Sequence, residues 1–292
     1  MNNKVHGLAV SILFVSSVGW GLTWLPIKAI NQMGLDGMHL IFIACASAGL
    51  LLSPFLFTQR RFWKGNFRYL WLIALFGGLA YLTFQTAMVH GQVVRVMILF
   101  YLLPVWSVLG AWYILKEKPD WIRIVAIIIS LSGAMLILNV DSSTFDGLNW
   151  VDAIAIASGV TFALNNILFR KTAEQPLAGK VSAMFLGCTI LVGSYLLLNP
   201  VTFELPHNLS PVYAGLYGVF FLSLITFGTQ WGVTQLEAGR AALLIVMELV
   251  AAVVSVALLT DTELSMRELM GGLLVMTAAV IEGWREPETA TS

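Results

Sequence analysis

Glu248 is the sharpest candidate for chemistry in this chain. It lies near the middle of an apolar run, residues 239–259. On insertion scales a charged side chain at that depth of a bilayer costs about 2.5–3.5 kcal/mol, so such a residue normally faces the protein interior. Ala241, Leu244, Ala251, Ala252 and Ser255 share its side of a helix at spacings of three, four and seven. That face is mostly small, suited to a cavity or to close helix packing. A carboxylate there can bind a substrate amine or accept a proton; a protonated Glu bonded to a neighbouring helix is the structural alternative.

Other polar and aromatic residues fall at membrane depth. Trp20 and Trp24, four apart, are expected on one face of the first helix with Thr23 beside them, and Trp106 and Trp231 sit deeper than an interfacial residue should. Aromatic faces hold cations or aromatic solutes, or simply pack. Gln85 and Gln230, with Asn165 and Asn166, offer uncharged donors and acceptors to a solute or to another helix. Pro104 cannot donate its backbone hydrogen bond, which leaves the Phe100 carbonyl free and marks a hinge or kink. Tyr101 lies close by. Arg95 and Arg240 each open a helix and could gate the pathway or attract an anion, or snorkel to the interface. His90 and Lys28 read mainly as interfacial residues.

The elements that must position these residues follow from composition. Hydrophobic residues make up 58% of the 292 and charged residues 11%. A soluble domain carries about 25% charge, so lipid is the fitting solvent. The formal net charge of zero suggests no nucleic-acid partner. Cys45 and Cys188 lie in apolar runs and read as buried thiols rather than a disulfide, and no cluster has metal-ligand spacing. No cofactor is expected. The first apolar run is too long for a signal-peptide core and reads as an uncleaved helix.

A spanning helix needs about 20 apolar residues. Ten stretches qualify: 6–27, 37–58, 69–90, 93–115, 119–139, 149–170, 178–198, 211–236, 239–259 and 267–284. With the N-terminus inside, 13 of the 16 Lys and Arg residues fall on the cytoplasmic side; Lys28, Arg95 and Arg267 fall outside. This bias predicts a multi-pass protein of the bacterial inner membrane with both termini cytoplasmic. The outer loops are acidic, with Asp141, Asp146 and Asp152 in one and Asp261 and Glu263 in another. Trp63, Trp71, Trp112, Trp121, Trp150 and Trp284 fall near helix ends, as an aromatic belt requires.

The halves 1–142 and 143–292 resemble each other. Gln85 and Arg95 recur as Gln230 and Arg240 at an offset of 145. Trp20 to Lys28 parallels Phe162 to Arg170, and Glu117 and Glu263 each precede a final span. Five spans per half is odd, so the second half lies inverted. The expected fold is an all-α membrane protein of ten transmembrane helices in two inverted five-helix repeats, N-in and C-in. Inverted repeats are a recurring plan of secondary transporters, with the solute bound near the midplane. A Walker A motif is absent, and no catalytic constellation lies at membrane depth, so neither an ATPase nor an embedded enzyme is expected. A channel-like facilitator is the nearer alternative.

The sequence resembles the EamA-type branch of the drug/metabolite transporter superfamily. The resemblance rests on Trp20-Gly21, on Leu103-Pro104 to Glu117, on Gly133, and on the stretch ending in Arg170-Lys171. It implies a central cavity lined by spans 1, 3, 4, 6, 8 and 9, with spans 5 and 10 supporting the fold or mediating homodimer contacts. It also implies a small-molecule substrate and export of amino acids or related compounds; Glu248, the aromatic residues and the amides would suit an amine-bearing one. The chain departs from the family at Glu248-Leu249, where Glu-Pro is usual. The sequence thus supplies a proline to kink span 4 and none for span 9.

Overall fold

The structure, a computed structural model, describes residues 3–141, 144, 147, 149–199, 208–260 and 263–285. Asp146 and Asp261, expected in the acidic outer loops, lie outside these residues, as does the boundary between residues 142 and 143. Among the described residues all regular structure is helical, and none is strand. The elements are α1 (Asn3–Gly21), α2 (Trp24–Gln32), α3 (Gly37–Thr58), α4 (Phe67–His90), α5 (Val93–Phe100), α6 (Leu103–Leu115) and α7 (Trp121–Ile137). They continue with α8 (Trp150–Lys171), α9 (Leu177–Leu198), α10 (Ser210–Leu216), α11 (Ser223–Gln235), α12 (Ala238–Ile245), α13 (Met247–Leu259) and α14 (Met266–Trp284).

Among the described residues, eight helical stretches are long and apolar enough to cross a membrane: Lys4–Gln32, Gly37–Thr58, Phe67–His90, Val93–Leu115, Trp150–Lys171, Leu177–Leu198, Ser210–Gln235 and Ala238–Leu259. The chain is therefore a multi-pass membrane protein. The expected fifth and tenth spans are weaker. Helix α7 has 17 residues, about 26 Å at 1.5 Å per residue, against a hydrocarbon core of about 30 Å. Helix α14 has 19 residues and carries Arg267, Glu268 and Glu282. The two pack on each other. They cross at two glycines: a Cβ on Gly133 would lie 2.6 Å from the Gly271 carbonyl oxygen, and one on Gly271 2.5 Å from that of Gly133. Only bare backbone allows this approach.

Helix packing follows a paired pattern. Helix α3 packs on α9; α4 packs on α8 and α9; α11 packs on α1; α6 packs on α8, and α13 on α1. Close backbone contacts mark several of these seams. Gly78 of α4 meets Gly187 of α9, and Gly218 meets Ala44 of α3. Gly218 belongs to a π-helical stretch, Tyr217–Leu222, that joins α10 to α11. Nothing in the composition of this span announces that widened turn.

Cys45 and Cys188 are buried free thiols. Of the tryptophans assigned to helix ends, Trp71, Trp112, Trp121, Trp150 and Trp284 are exposed as a belt requires, but Trp63 is wholly buried. Its indole lies against Gly179 at the start of α9, which leaves room for a ring.

The Gly133–Gly271 crossing makes a direct prediction. Gly133→Ala should lower the thermal midpoint in detergent, since overpacking typically costs about 1–3 kcal/mol. Gly7→Ala, where an added Cβ meets nothing within 4 Å, should leave it unlowered. Equal midpoints for wild type and Gly133→Ala would show that α7 and α14 do not cross in this way.

Candidate functional site

Besides Lys4–Gln32, which is interrupted between α1 and α2, two of the crossing stretches break in mid-course, and Glu248 sits at one of these breaks. In the first, α5 ends at Phe100 and α6 begins at Leu103. Pro104 occupies the first turn of α6, where its missing N–H is tolerated. The new helix starts with the Val105 amide bonding the Leu102 carbonyl at 2.9 Å. This is the interruption that Pro104 foretells.

The second break shows that span 9 is interrupted as well. Without a proline, α12 still ends at Ile245 and α13 begins at Met247, with Val246 between them. The Leu249 amide bonds the Val246 carbonyl at 3.0 Å, one residue short of the α-helical reach. Packing rather than covalent constraint accompanies this break. Gly21 of α1 presses on it so closely that a Cβ there would lie 2.4 Å from the Glu248 carbonyl oxygen. At the other break, Gly159 of α8 stands against the Phe100 carbonyl, 3.0 Å from an added Cβ.

The two breaks meet through side chains. The buried Tyr101 hydroxyl lies within interaction range of the half-buried Glu248 carboxylate. Phe100 adds an aromatic cluster: its ring centroid lies 4.9 Å from Phe84, 5.5 Å from Tyr101 and 5.9 Å from Phe162. Sequence reasoning missed Phe84, Phe100 and Phe162. Phenylalanine is common in any membrane helix, and only the proximity of Phe100 to Pro104 pointed here.

Trp20 and Trp24 do not share a helix face. The helix is interrupted between them, with the Thr23 hydroxyl bonding the Trp20 carbonyl at 2.7 Å. The two indoles reach different partners. Trp20 Nε1 donates to the Thr229 hydroxyl of α11 at 3.0 Å, and Trp24 Nε1 donates to the Ser255 hydroxyl of α13 at 2.9 Å. Trp20 also faces the Tyr81 ring at 6.5 Å. A surface cavity of about 490 Å³ opens beside Trp24, with Lys28 at its edge.

The amides divide. Gln230 Nε2 donates to Asn166 Oδ1 at 3.1 Å, and Asn165 Nδ2 contacts Met184 Sδ at 3.5 Å. Gln85, the counterpart of Gln230, instead lies against Gly37 at the start of α3. Trp106 Nε1, Asn165 Oδ1 and Gln230 Oε1 are buried with no hydrogen-bond partner among the described residues. Buried polar atoms are usually paired, so these three are unused hydrogen-bonding capacity in α6, α8 and α11.

Arg95 and Arg240 do not snorkel. Both are buried. Arg95 donates to Asp152 and to the Gly147 carbonyl, each at 2.5 Å. Asp152 is no loop residue. It lies in the first turn of α8, where it forms a capping box with Asn149. At the opposite end of the bundle Arg240 faces the wholly buried Glu282 at 3.6 Å. Arg123 also reaches Glu282 at 3.6 Å and pairs with Glu237. Arg285 bonds Glu282 at 3.0 Å and pairs with Asp120. Burial alone would raise the Asp120 carboxyl, but the Arg285 guanidinium and the Arg123 amide outweigh it and hold it below its usual range. Nearby, Arg170 joins Glu117 at 3.0 Å and the Thr234 carbonyl at 3.1 Å. These links tie α6, α7, α8, α11, α12 and α14 together at one end. Glu282 was not singled out from sequence, because its arginine partners are remote along the chain.

Breaking one partner of a buried pair strands the other charge, at a cost of about 3–5 kcal/mol. Arg95→Met should therefore lower stability by that order in a detergent unfolding assay, and adding Asp152→Asn should restore part of the loss. Additive losses in the double variant would show that the two side chains do not interact.

Comparison with known proteins agrees with this architecture. A solved structure titled only "Crystal structure of protein" superposes with a TM-score of 0.74, covering 94% of this chain and 96% of that one at 14% identity. At that identity the likeness concerns the fold. No curated protein matches the chain. The family model described as "EamA-like transporter family" matches residues 7–139. That stretch holds the Trp20-Gly21 pair, the Pro104 break and the Gly133 crossing, so over these residues the chain is similar to the EamA-like transporter family.

Proposed function

We propose that the protein is a secondary transporter that binds an amine-bearing small metabolite between the two broken helices, with Glu248 as the anionic partner of the ammonium group. The observation that carries the proposal is the meeting of a half-buried carboxylate with Tyr101 and the Phe84–Phe100–Phe162 cluster at membrane depth. A carboxylate supplies charge, and aromatic rings attract cations within about 6 Å of their centroids. The unpaired polar atoms of Trp106, Asn165 and Gln230 are available to the rest of the solute. Trp20, Trp24 and Gln85 line the approaches, and Pro104 serves as a hinge. Amino acids or related amines are the preferred class, and export the preferred direction.

Transport by alternating access goes with two inverted five-helix halves, residues 1–142 and 143–292. The spacing of the helices supports this plan. Val93 and Ala238, which open the two broken spans, are 145 residues apart; so are Phe100 and Ile245, which end their first segments, and Trp121 and Met266, which open α7 and α14. The same offset relates Gln85 to Gln230. Counting α7 and α14 gives ten spans, with both termini cytoplasmic in a bacterial inner membrane. Arg95 with Asp152 then closes the outer end, and Arg240 with Glu282 the inner end. Any homodimer would form through the outer faces of α7 and α14.

Counterflow of labelled amino acids in proteoliposomes tests this. Saturable counterflow of at least one amine-bearing solute is expected. Glu248→Gln should reduce it by at least about tenfold, equivalent to ~1.4 kcal/mol of lost interaction. Undiminished counterflow in Glu248→Gln would remove the carboxylate from the cycle. Flux without counterflow would indicate a channel-like facilitator instead.

A further inference from the structure

The two buried arginines that open α5 and α12 stand in equivalent places, yet they meet different partners. Arg95 meets a carboxylate, Asp152, in the first turn of α8. Arg240 meets a histidine, His6, near the start of α1. Its Nη1 lies 3.4 Å from His6 Nδ1 and 3.3 Å from Nε2, while His6 Nε2 lies 3.4 Å from the Gly283 carbonyl of α14. Arg240 Nη1 is nearly equidistant from the two ring nitrogens, so the guanidinium packs against a neutral ring whose Nε2–H can donate to the Gly283 carbonyl. A doubly protonated ring has no acceptor left, so the guanidinium would face a second cation.

We propose that His6 is a proton-sensitive latch on this end of the bundle. Neutral His6 ties α1 to α12 and α14, and protonation releases α1. The charged groups around it are Glu237 and Arg240 at α12, Glu282 and Arg285 at α14, and Arg123 on α7 through Glu282, with Lys4 two residues away on α1. Arginines already share Glu282 among three, so a new cation finds no unshared carboxylate among these pairs. Imidazole is the side chain whose charge changes between about pH 5 and 8, so acidification would open this end. Calling the latched end the cytoplasmic gate rests on the proposed transport function; the latch itself does not.

The test is a distance measurement that needs no substrate. Spin labels at Leu8→Cys on α1 and Ile124→Cys on α7, both exposed positions, would be placed in the full chain with Cys45 and Cys188 replaced by Ala. Distances would be recorded in lipid nanodiscs at about pH 8 and pH 5.5, on either side of imidazole titration. A longer-distance population at the lower pH is expected, and it should be lost in His6→Gln, whose amide keeps one donor and one acceptor without titrating. A distribution unchanged with pH, or one that still shifts in His6→Gln, would overturn the latch. Should His6→Gln not fold, the imidazole resonances of His6 in the unsubstituted protein decide instead. They must titrate over the same pH interval as the distance change; a His6 ring that holds one protonation state throughout would overturn the proposal. A protein that latches but transports no amine would refute the proposed function while leaving this inference standing.

Discussion

A helix interrupted within a bilayer leaves amides and carbonyls that no lipid tail can satisfy, so such a break survives only where protein covers it. The fold is arranged around that constraint. The break before Pro104 is covered by Gly159 of α8, and the break at Val246 by Gly21 of α1. In both places a glycine lets a whole helix backbone lie where a side chain would otherwise stand. The coverage brings Tyr101 and Glu248 together, because each belongs to a break that a neighbouring helix presses inward. Packing of α1 on α13 and of α8 on α6 is thus what assembles the site.

The charged residues follow the same economy. Arg95, Arg123, Arg240, Glu282 and Asp152 are all buried, and buried charge is tolerated when paired. The pairs lie at the ends of the bundle and leave the middle to Glu248, aromatic rings and amides. Under the proposed transport function, charge at the ends fastens helices that must part during the cycle. Uncompensated charge in the middle is attractive to a solute that carries the opposite sign.

Much of the fold was legible because lipid imposes a simple rule on sequence. The apolar runs placed the helices within a few residues, and the proline in span 4 announced its break. The second break was not legible: Leu249 carries no covalent restriction, and the backbone packed against it, at Gly21, lies more than two hundred residues away. Trp20 and Trp24 were expected on one face, although Gly21 and Pro26, which cannot donate to the Leu22 carbonyl, mark the interruption at Leu22 and Thr23 in the sequence. Trp63 reads as interfacial by position, yet Gly179 opens a buried space for it. Within the site, Glu248, Tyr101 and Pro104 stood out as rare residue types at membrane depth. The phenylalanines around them did not, since their abundance in membrane helices hides the few that converge. The ion network escaped for a different reason. Its members are ordinary at helix ends, and only the packing of α7 and α14 against α12 reveals them as partners.

The most direct test of the central claim is an experimental structure with a transported amine bound. The account predicts the ammonium nitrogen within hydrogen-bonding distance of the Glu248 carboxylate, with the Phe100 or Tyr101 ring within about 6 Å. An amine held elsewhere, with Glu248 bonded only to the protein, would contradict it.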